Sequence, residues 1–281
     1  MIRVLIPTDF SENAFNAIRY AMELLKYQKS EFLVVHCFAD EVYANTMEMS
    51  REFFDLYKEK TKEAIDRSLQ KVIAEMLEIS PNPRHEYNYK AVFASLVDTC
   101  NDMANKEDLD LIIMGTKGKT DNRDITFGSQ ALQVAKYVKC PVLMVPVAYH
   151  KNPPQNVLFP TDYIVPYKRR ELKLLNTLTA NFAAQVQFLY LSRSKVLSHR
   201  QEDNKRFLDC CLEPNKVSHA YMVGTNLTET INRTIEDDTI NLLVMVNSRH
   251  SYMESLLQDS TIDAMGLNVK IPFLILQNLP R

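Results

Sequence analysis

A chain of 281 residues with 46% apolar and 24% charged residues has a soluble, globular composition and is long enough for two α/β domains, each burying its own core. Its formal net charge of −2 argues against nonspecific attraction to nucleic acid or acidic lipid, and no apolar run approaches the ~18 residues a membrane helix needs. Five cysteines (37, 100, 140, 210, 211) form no CxxC pair, and Met1 leads straight into a strand without a signal-peptide pattern, so reduced thiols in a cytoplasmic protein are expected.

In chain order, Val4–Pro7 reads as a strand, and a helix follows over Ser11–Tyr27 with Ala14, Ile18, Ala21, Met22 and Leu25 on one face. Phe32–Phe38 is the second strand. A helical stretch of about Met47–Ile79 closes at Ser80-Pro81-Asn82-Pro83. At 1.5 Å per residue it would run roughly 50 Å, more than one small domain covers, which predicts a break or a protruding first half. Phe53, Phe54, Leu56 and Tyr57 of that half either pack on the sheet or second domain, or mark a partner contact. Glu86–Phe93, Leu109–Met114 and Val142–Val147 are further strands, separated by helices over Ala94–Asn105 and Gly128–Val138. Such alternation gives a parallel sheet with helices on both faces and right-handed crossovers, and ligands bind where the strand order reverses.

The pattern is written twice. Val4-Leu-Ile-Pro-Thr-Asp9-Phe returns 153 positions later as Val157-Leu-Phe-Pro-Thr-Asp162-Tyr. Asp110-Leu-Ile-Ile-Met114 returns 131 positions later as Asn241-Leu-Leu-Val-Met245, and Cys140-Pro-Val-Leu-Met-Val as Ile271-Pro-Phe-Leu-Ile-Leu. Two tandem copies of one domain explain three matched segments in the same order, the second copy being shorter in its middle. Residues 148–155, with Pro153 and Pro154, read as a short stiff linker.

Three of the five glycines, Gly115, Gly118 and Gly128, fall within fourteen residues between the fourth strand and the next helix. Strand, glycine loop, Ser129 and helix start suit an anion, because glycine lets backbone N–H groups approach phosphate oxygens and the helix start adds partial positive charge. The alternative is a loop that needs positive φ at three points. No glycine follows the first strand and no GxxxxGK[ST] run exists, so neither the dinucleotide fingerprint nor a P-loop is present.

Glycine, two residues, glycine, nine residues, glycine and serine after an apolar strand, with Pro7-Thr8-Asp9 and Pro141-Val-Leu-Met-Val-Pro146, resembles the universal stress protein family in its tandem two-domain form. The resemblance implies two Rossmann-like domains of the adenine nucleotide alpha hydrolase-like type, 1–147 and 156–281. Each would be a five-stranded parallel sheet in the order 3-2-1-4-5. It implies ATP, with or without Mg, in the first domain: Pro7, Thr8 and Asp9 near the adenosine, Cys37 meeting adenine through its backbone, and Met114 packing on the base. Gly115, Gly118, Lys119, Gly128 and Ser129 would take the phosphates. Read without the resemblance, Asp9 equally suits a cap on the first helix. The family's habit of edge pairing implies Val142–Val145 against Phe273–Leu276, an internal pseudo-dimer that covers strand edges; a homodimer beyond that is left open.

In the second copy the loop positions become Val246, Arg249, Asp259 and Ser260, whose side chains are expected to crowd and repel phosphates, leaving one nucleotide site per chain. The six histidines lack metal-ligand spacing, His36 reads as a core histidine, and no HExxH, GxSxG or SxxK pattern occurs. The expectation is an ATP-binding sensor or switch in the stress response, not an enzyme beyond slow ATP hydrolysis, with an unidentified protein partner. The alternatives are a scaffold that acts through protein contacts or another small ligand, and a hydrolase or transferase of the wider fold group.

Overall fold

The computed structural model describes residues 1–47, 49–118, 127–149, 154–165, 167–213, 215–224, 226–237, 239–248, 251, 253 and 270–278. The first half holds β1 (Ile2–Pro7), α1 (Glu12–Leu24), β2 (Ser30–Cys37), α2 (Ala39–Thr46), α3 (Arg51–Ile79), β3 (His85–Val92), α4 (Leu96–Lys106), β4 (Leu111–Gly115), α5 (Ser129–Tyr137) and β5 (Val142–Val145). The second holds β6 (Asn156–Pro160), α6 (Arg169–Thr179), a 3-10 turn at Ala180–Phe182, β7 (Gln185–Leu191), α7 (His199–Cys211), β8 (Lys216–Met222), α8 (Leu227–Asp237), β9 (Leu242–Asn247) and β10 (Phe273–Gln277).

All ten strands form one sheet in the order β3-β2-β1-β4-β5-β10-β9-β6-β7-β8. Each half is parallel in the order 3-2-1-4-5, and the halves meet where β5 and β10 run antiparallel, with Leu143 opposite Leu274. That junction is the edge pairing the resemblance implied. It buries the apolar edges of β5 and β10, whose residues are buried throughout, as continuous apolar strands require. The outer strands β3 and β8 mix half-buried and exposed residues instead.

Polar contacts fasten the junction. Gln277, 1% exposed, donates from Nε2 to the Ala135 carbonyl at 2.8 Å and accepts from Asn247 Nδ2 at 2.8 Å. Ala135 lies among the last four residues of α5, whose carbonyls lack partners within their own helix, so the second half caps a helix of the first. Phe127 meets Phe273 edge-on at 6.1 Å, and Arg170 reaches Asp108 and Asp110 at 3.5 and 3.7 Å.

The helix expected over about Met47–Ile79 is present but begins at Arg51, and of the two alternatives a break within it does not occur. α2 ends at Thr46, and α3 starts afresh at Arg51 under an N-cap, Ser50, whose side chain accepts from the Phe53 amide. α3 then runs 29 residues as a single helix, about 44 Å long. Its buried stripe, Ile65, Leu69, Val72 and Met76, lies in the C-terminal part. Nearer the N-terminus, Phe54 packs against Tyr43 of α2 and Phe93, while Phe53 and Leu56 are exposed. Phe54 therefore packs within the first half, whereas Phe53 and Leu56 stay exposed. Among the described residues, no helix is long and apolar enough to cross a membrane.

Candidate functional site

With β1 between β2 and β4, the carboxyl ends of these three strands open a crevice where the strand order reverses. A cavity of about 220 Å³ lies there, lined by residues of all three strand ends and by Leu96 of α4 and Gln130 and Ala131 of α5.

The turn after β1 is built from its own side chains. Thr8 Oγ1 accepts from the Phe10 amide at 3.1 Å, and Asp9 Oδ1 accepts from the Ser11 amide at 3.0 Å. Phe10 takes φ of 61°, which this bracing holds in place. Ser11 caps α1, its Oγ accepting from the Ala14 amide at 3.1 Å. Asp9 thus braces the turn and Ser11 is the cap. The second half repeats the device: Thr161 Oγ1 accepts from the Tyr163 amide, Asp162 Oδ1 from the Ile164 amide, and Tyr163 has φ of 58°.

His36 lines the cavity and is not a core residue. Its Nδ1 lies 2.7 Å from the Thr8 carbonyl, a geometry in which Nδ1 carries the proton and donates, and its ring stacks on Phe10 at 4.7 Å. Cys37 lines the same end; burial pushes its thiol up, against a hydrogen bond with Thr99, so it remains a neutral wall.

At the other end β4 terminates in Gly115. Asn13 of α1, buried beside it, donates from Nδ2 to the Lys117 carbonyl at 2.6 Å. A Cβ on Gly115 would fall 2.5 Å from that Nδ2, and φ there lies outside the left-handed region. Close approach of the Asn13 side chain is therefore what requires glycine at this position. The Gly128 amide donates to the Thr116 carbonyl at 2.7 Å and closes the base of the loop. Gly128 then serves as N-cap of α5, with no side chain of its own to satisfy the first helical amides.

Of the residues singled out from sequence, Pro7, Thr8, Asp9, Cys37, Met114, Gly115 and Gly118 line the cavity together. Gly128 is buried and Ser129 exposed beside it, and neither is among the lining residues; their neighbours Gln130 and Ala131 are. The Gly128 amide donates to Thr116 within the loop. Lys119 lies outside the described residues, as do Arg249, Asp259 and Ser260. Asn13, Asp40 and Gln130 were not foreseen. Asp40 follows β2 with no turn signal to announce a helix, and Asn13 was passed over beside the apolar stripe of α1.

Charge divides the crevice along its length. Asp9 and Asp40 lie towards the β1 and β2 ends, and Lys117 with the start of α5 lies at the β4 end. Anionic groups are favoured at the second, and neutral groups able to donate hydrogen bonds at the first. Among the described residues, no group of three His, Cys, Asp or Glu side chains is placed to hold a metal.

The second half carries the same crevice. Val246 stands where Gly115 does: Gly115 pairs with Val145 as Val246 pairs with Leu276. The expected crowding does not close it. A cavity of about 190 Å³ persists there, lined by residues that include Thr161, Asp162, Leu191, Met245 and Val246.

Comparison with known proteins places these features. The family model described as the universal stress protein family matches residues 1–146. Universal stress protein MJ0531 of Methanocaldococcus jannaschii is 31% identical over 147 residues, which is 51% of this chain and 81% of that protein. Universal stress protein MJ0577 of the same organism is 24% identical over 155 residues, 51% of this chain and 93% of that one. A universal stress protein structure from Archaeoglobus fulgidus superposes with a TM-score of 0.66 at 17% identity, covering 97% of this chain and 95% of the other, and shows the shared fold of both halves.

Proposed function

The chain belongs to the universal stress protein family, and on that premise we propose that it is an adenine-nucleotide sensor that binds ATP, with or without Mg, in its first domain only. The observation that carries the reading is the contrast between two crevices of one design. The first keeps Gly115, Gly118 and Lys117 at the phosphate end, and the second puts Val246 at the position of Gly115. In this reading the domains are 1–147 and 156–281.

A cavity of about 220 Å³ is smaller than the roughly 300 Å³ at which drug-sized pockets begin. It encloses a base and ribose, with Val35, Cys37, Leu96 and Met114 as apolar walls, while the phosphates lie over Lys117, Gly118 and the start of α5 at the mouth. Asp9 and Asp40, at the base and ribose end, are placed to accept from ribose hydroxyls and are kept away from the phosphates. The remaining imidazole of the lining, His36, stands with Cys37 at the base and ribose end with its Nδ1 against the Thr8 carbonyl, away from the phosphates, which favours holding nucleotide over turning it over. Five free cysteines fit a reducing, cytoplasmic setting.

Calorimetric titration with ATP tests the proposal. Binding at or below millimolar nucleotide is expected, with loss of that binding in Gly118→Val. Absence of heat at millimolar ATP removes the nucleotide reading. The scaffold reading is favoured by one observation, the exposed apolar side chains Tyr43, Met47, Phe53 and Leu56 around the junction of α2 and α3. It takes over if ATP does not bind.

A further inference from the structure

The crevice of the second half is retained as a cavity but rebuilt chemically, and we propose that it binds a small uncharged apolar molecule about one aromatic ring in size. This inference does not depend on nucleotide binding in the first half.

Position establishes the kinship. Pro160, Thr161 and Asp162 follow β6 as Pro7, Thr8 and Asp9 follow β1, and Leu227 opens α8 as Leu96 opens α4. Leu191 ends β7 where Cys37 ends β2, each paired with the last residue of the neighbouring strand. Chemistry separates the two. No lysine, arginine or histidine lines the second cavity among the described residues, and the one charged group, Asp162, repels anions. Among the described lining residues a phosphate therefore finds no counter-charge.

Thr161, Tyr167, Ser251 and one oxygen of Asp162 are engaged with each other or with backbone. Thr161 Oγ1 accepts from the Tyr163 amide at 2.9 Å and is hydrogen-bonded to the Tyr167 hydroxyl, which burial keeps protonated by pushing its pKa up. Asp162 Oδ1 accepts from the Ile164 and Val165 amides at 2.7 and 3.3 Å. Ser251 Oγ accepts from the Ser248 amide at 3.1 Å. A polar ligand would give up water without gaining partners in proportion, an unfavourable exchange.

What remains for a ligand is the apolar wall: Val165, Leu191, Leu227, Met245, Val246 and Met253. Methionine side chains adapt to ring-shaped guests and make favourable contacts with aromatic faces. The size is also right, since an apolar protein cavity of about 150 Å³ takes up benzene and this one measures about 190 Å³.

Indole, titrated into the full chain carrying ¹³C-methyl methionine, is the test, read by NMR. Saturable shifts of the Met245 and Met253 methyl signals are expected, with the Met114 signal in the first crevice unmoved. ATP should leave Met245 and Met253 where they are. Val246→Trp fills the cavity and should abolish the indole shifts while the Met114 signal stays in place. Leu227→Trp, at the first position of α8, does the same without disturbing a central strand. The proposal is overturned if indole moves neither methyl up to its solubility limit, if the shifts survive both tryptophan variants, or if ATP displaces indole. A failure of ATP to bind the first crevice leaves these readings unaltered.

Discussion

Replacing Gly115 by alanine tests the loop architecture directly. The new Cβ would lie 2.5 Å from Asn13 Nδ2, 2.8 Å from Cγ and 3.1 Å from Oδ1, closer than side chains tolerate, so Asn13 must move. Asn13 is 6% exposed and holds the Lys117 carbonyl at 2.6 Å; its Oδ1 has no partner among the described residues. Moving it breaks one buried hydrogen bond and strands a buried amide, at a cost of about 2 kcal/mol, or roughly 30-fold in the folding equilibrium. Urea unfolding reads this as a lower midpoint at unchanged slope. The cause is isolated by a double-mutant cycle. In an Asn13→Ala background the same Gly115→Ala change should cost less than about 0.5 kcal/mol, because the obstructing side chain is gone. Both single variants remove the Asn13 bond to the Lys117 carbonyl and should weaken ATP binding together. An equal cost of Gly115→Ala in the two backgrounds would refute the side-chain account of this glycine.

Other changes probe the rest of the frame. Gln277→Ala, which leaves the Ala135 carbonyl and Asn247 Nδ2 unpaired at the junction, should cost about 2 kcal/mol in urea, whereas Arg170→Ala, removing an exposed ion pair across the same junction, should cost less than about 1 kcal/mol. Leu69→Ala, fully buried on the inner face of α3, should lose about 3 kcal/mol in the same assay. His85 is buried with Nε2 against the Leu25 carbonyl, and burial lowers its pKa. The unfolded chain therefore takes up its proton first, so stability present above about pH 6.5 is lost as pH falls through the lower folded value. Comparing unfolding midpoints between pH 8 and 5, His85→Gln should flatten that slope relative to the parent chain, and an unchanged slope would count against the assignment.

Strands were legible because their signal is local: β4, β5, β9 and β10 are short apolar runs bounded by turn residues, and each is buried along its whole length. Strand order came from resemblance, since periodicity does not say which strands are neighbours. α2 escaped notice because its start at Ala39 carries no side-chain cap, while Ser50, the true start of α3, was absorbed into a longer run. At the site the glycines were legible and their reasons were not. Gly115 makes room for a side chain 102 positions away in the chain, and the Gly128 amide serves the loop itself. His36 was read as core from its place at a strand end, but it lies half-buried in the crevice wall with its ring stacked on Phe10, a tertiary contact that the strand pattern does not announce.

Comparing the halves separates residues that hold the fold from residues that shape the ligand. Asp9 and Asp162 accept the same hydrogen bond, from the backbone amide two residues on, in the same turn, although only one crevice keeps a glycine loop. Their shared task is therefore the turn, and any contact of Asp9 with nucleotide is added to it. Gly115 behaves differently. Its counterpart is Val246, and the second half has no asparagine between Tyr163 and Leu175, the stretch in which an equivalent of Asn13 would stand. Glycine and asparagine are present together in one half and absent together in the other, as expected if the first is small because the second must reach past it. Once that clamp is gone, a branched side chain costs the strand nothing and turns the crevice wall apolar. The duplicated frame can thus keep one opening for phosphate and give the other to a different guest without altering the sheet that joins them.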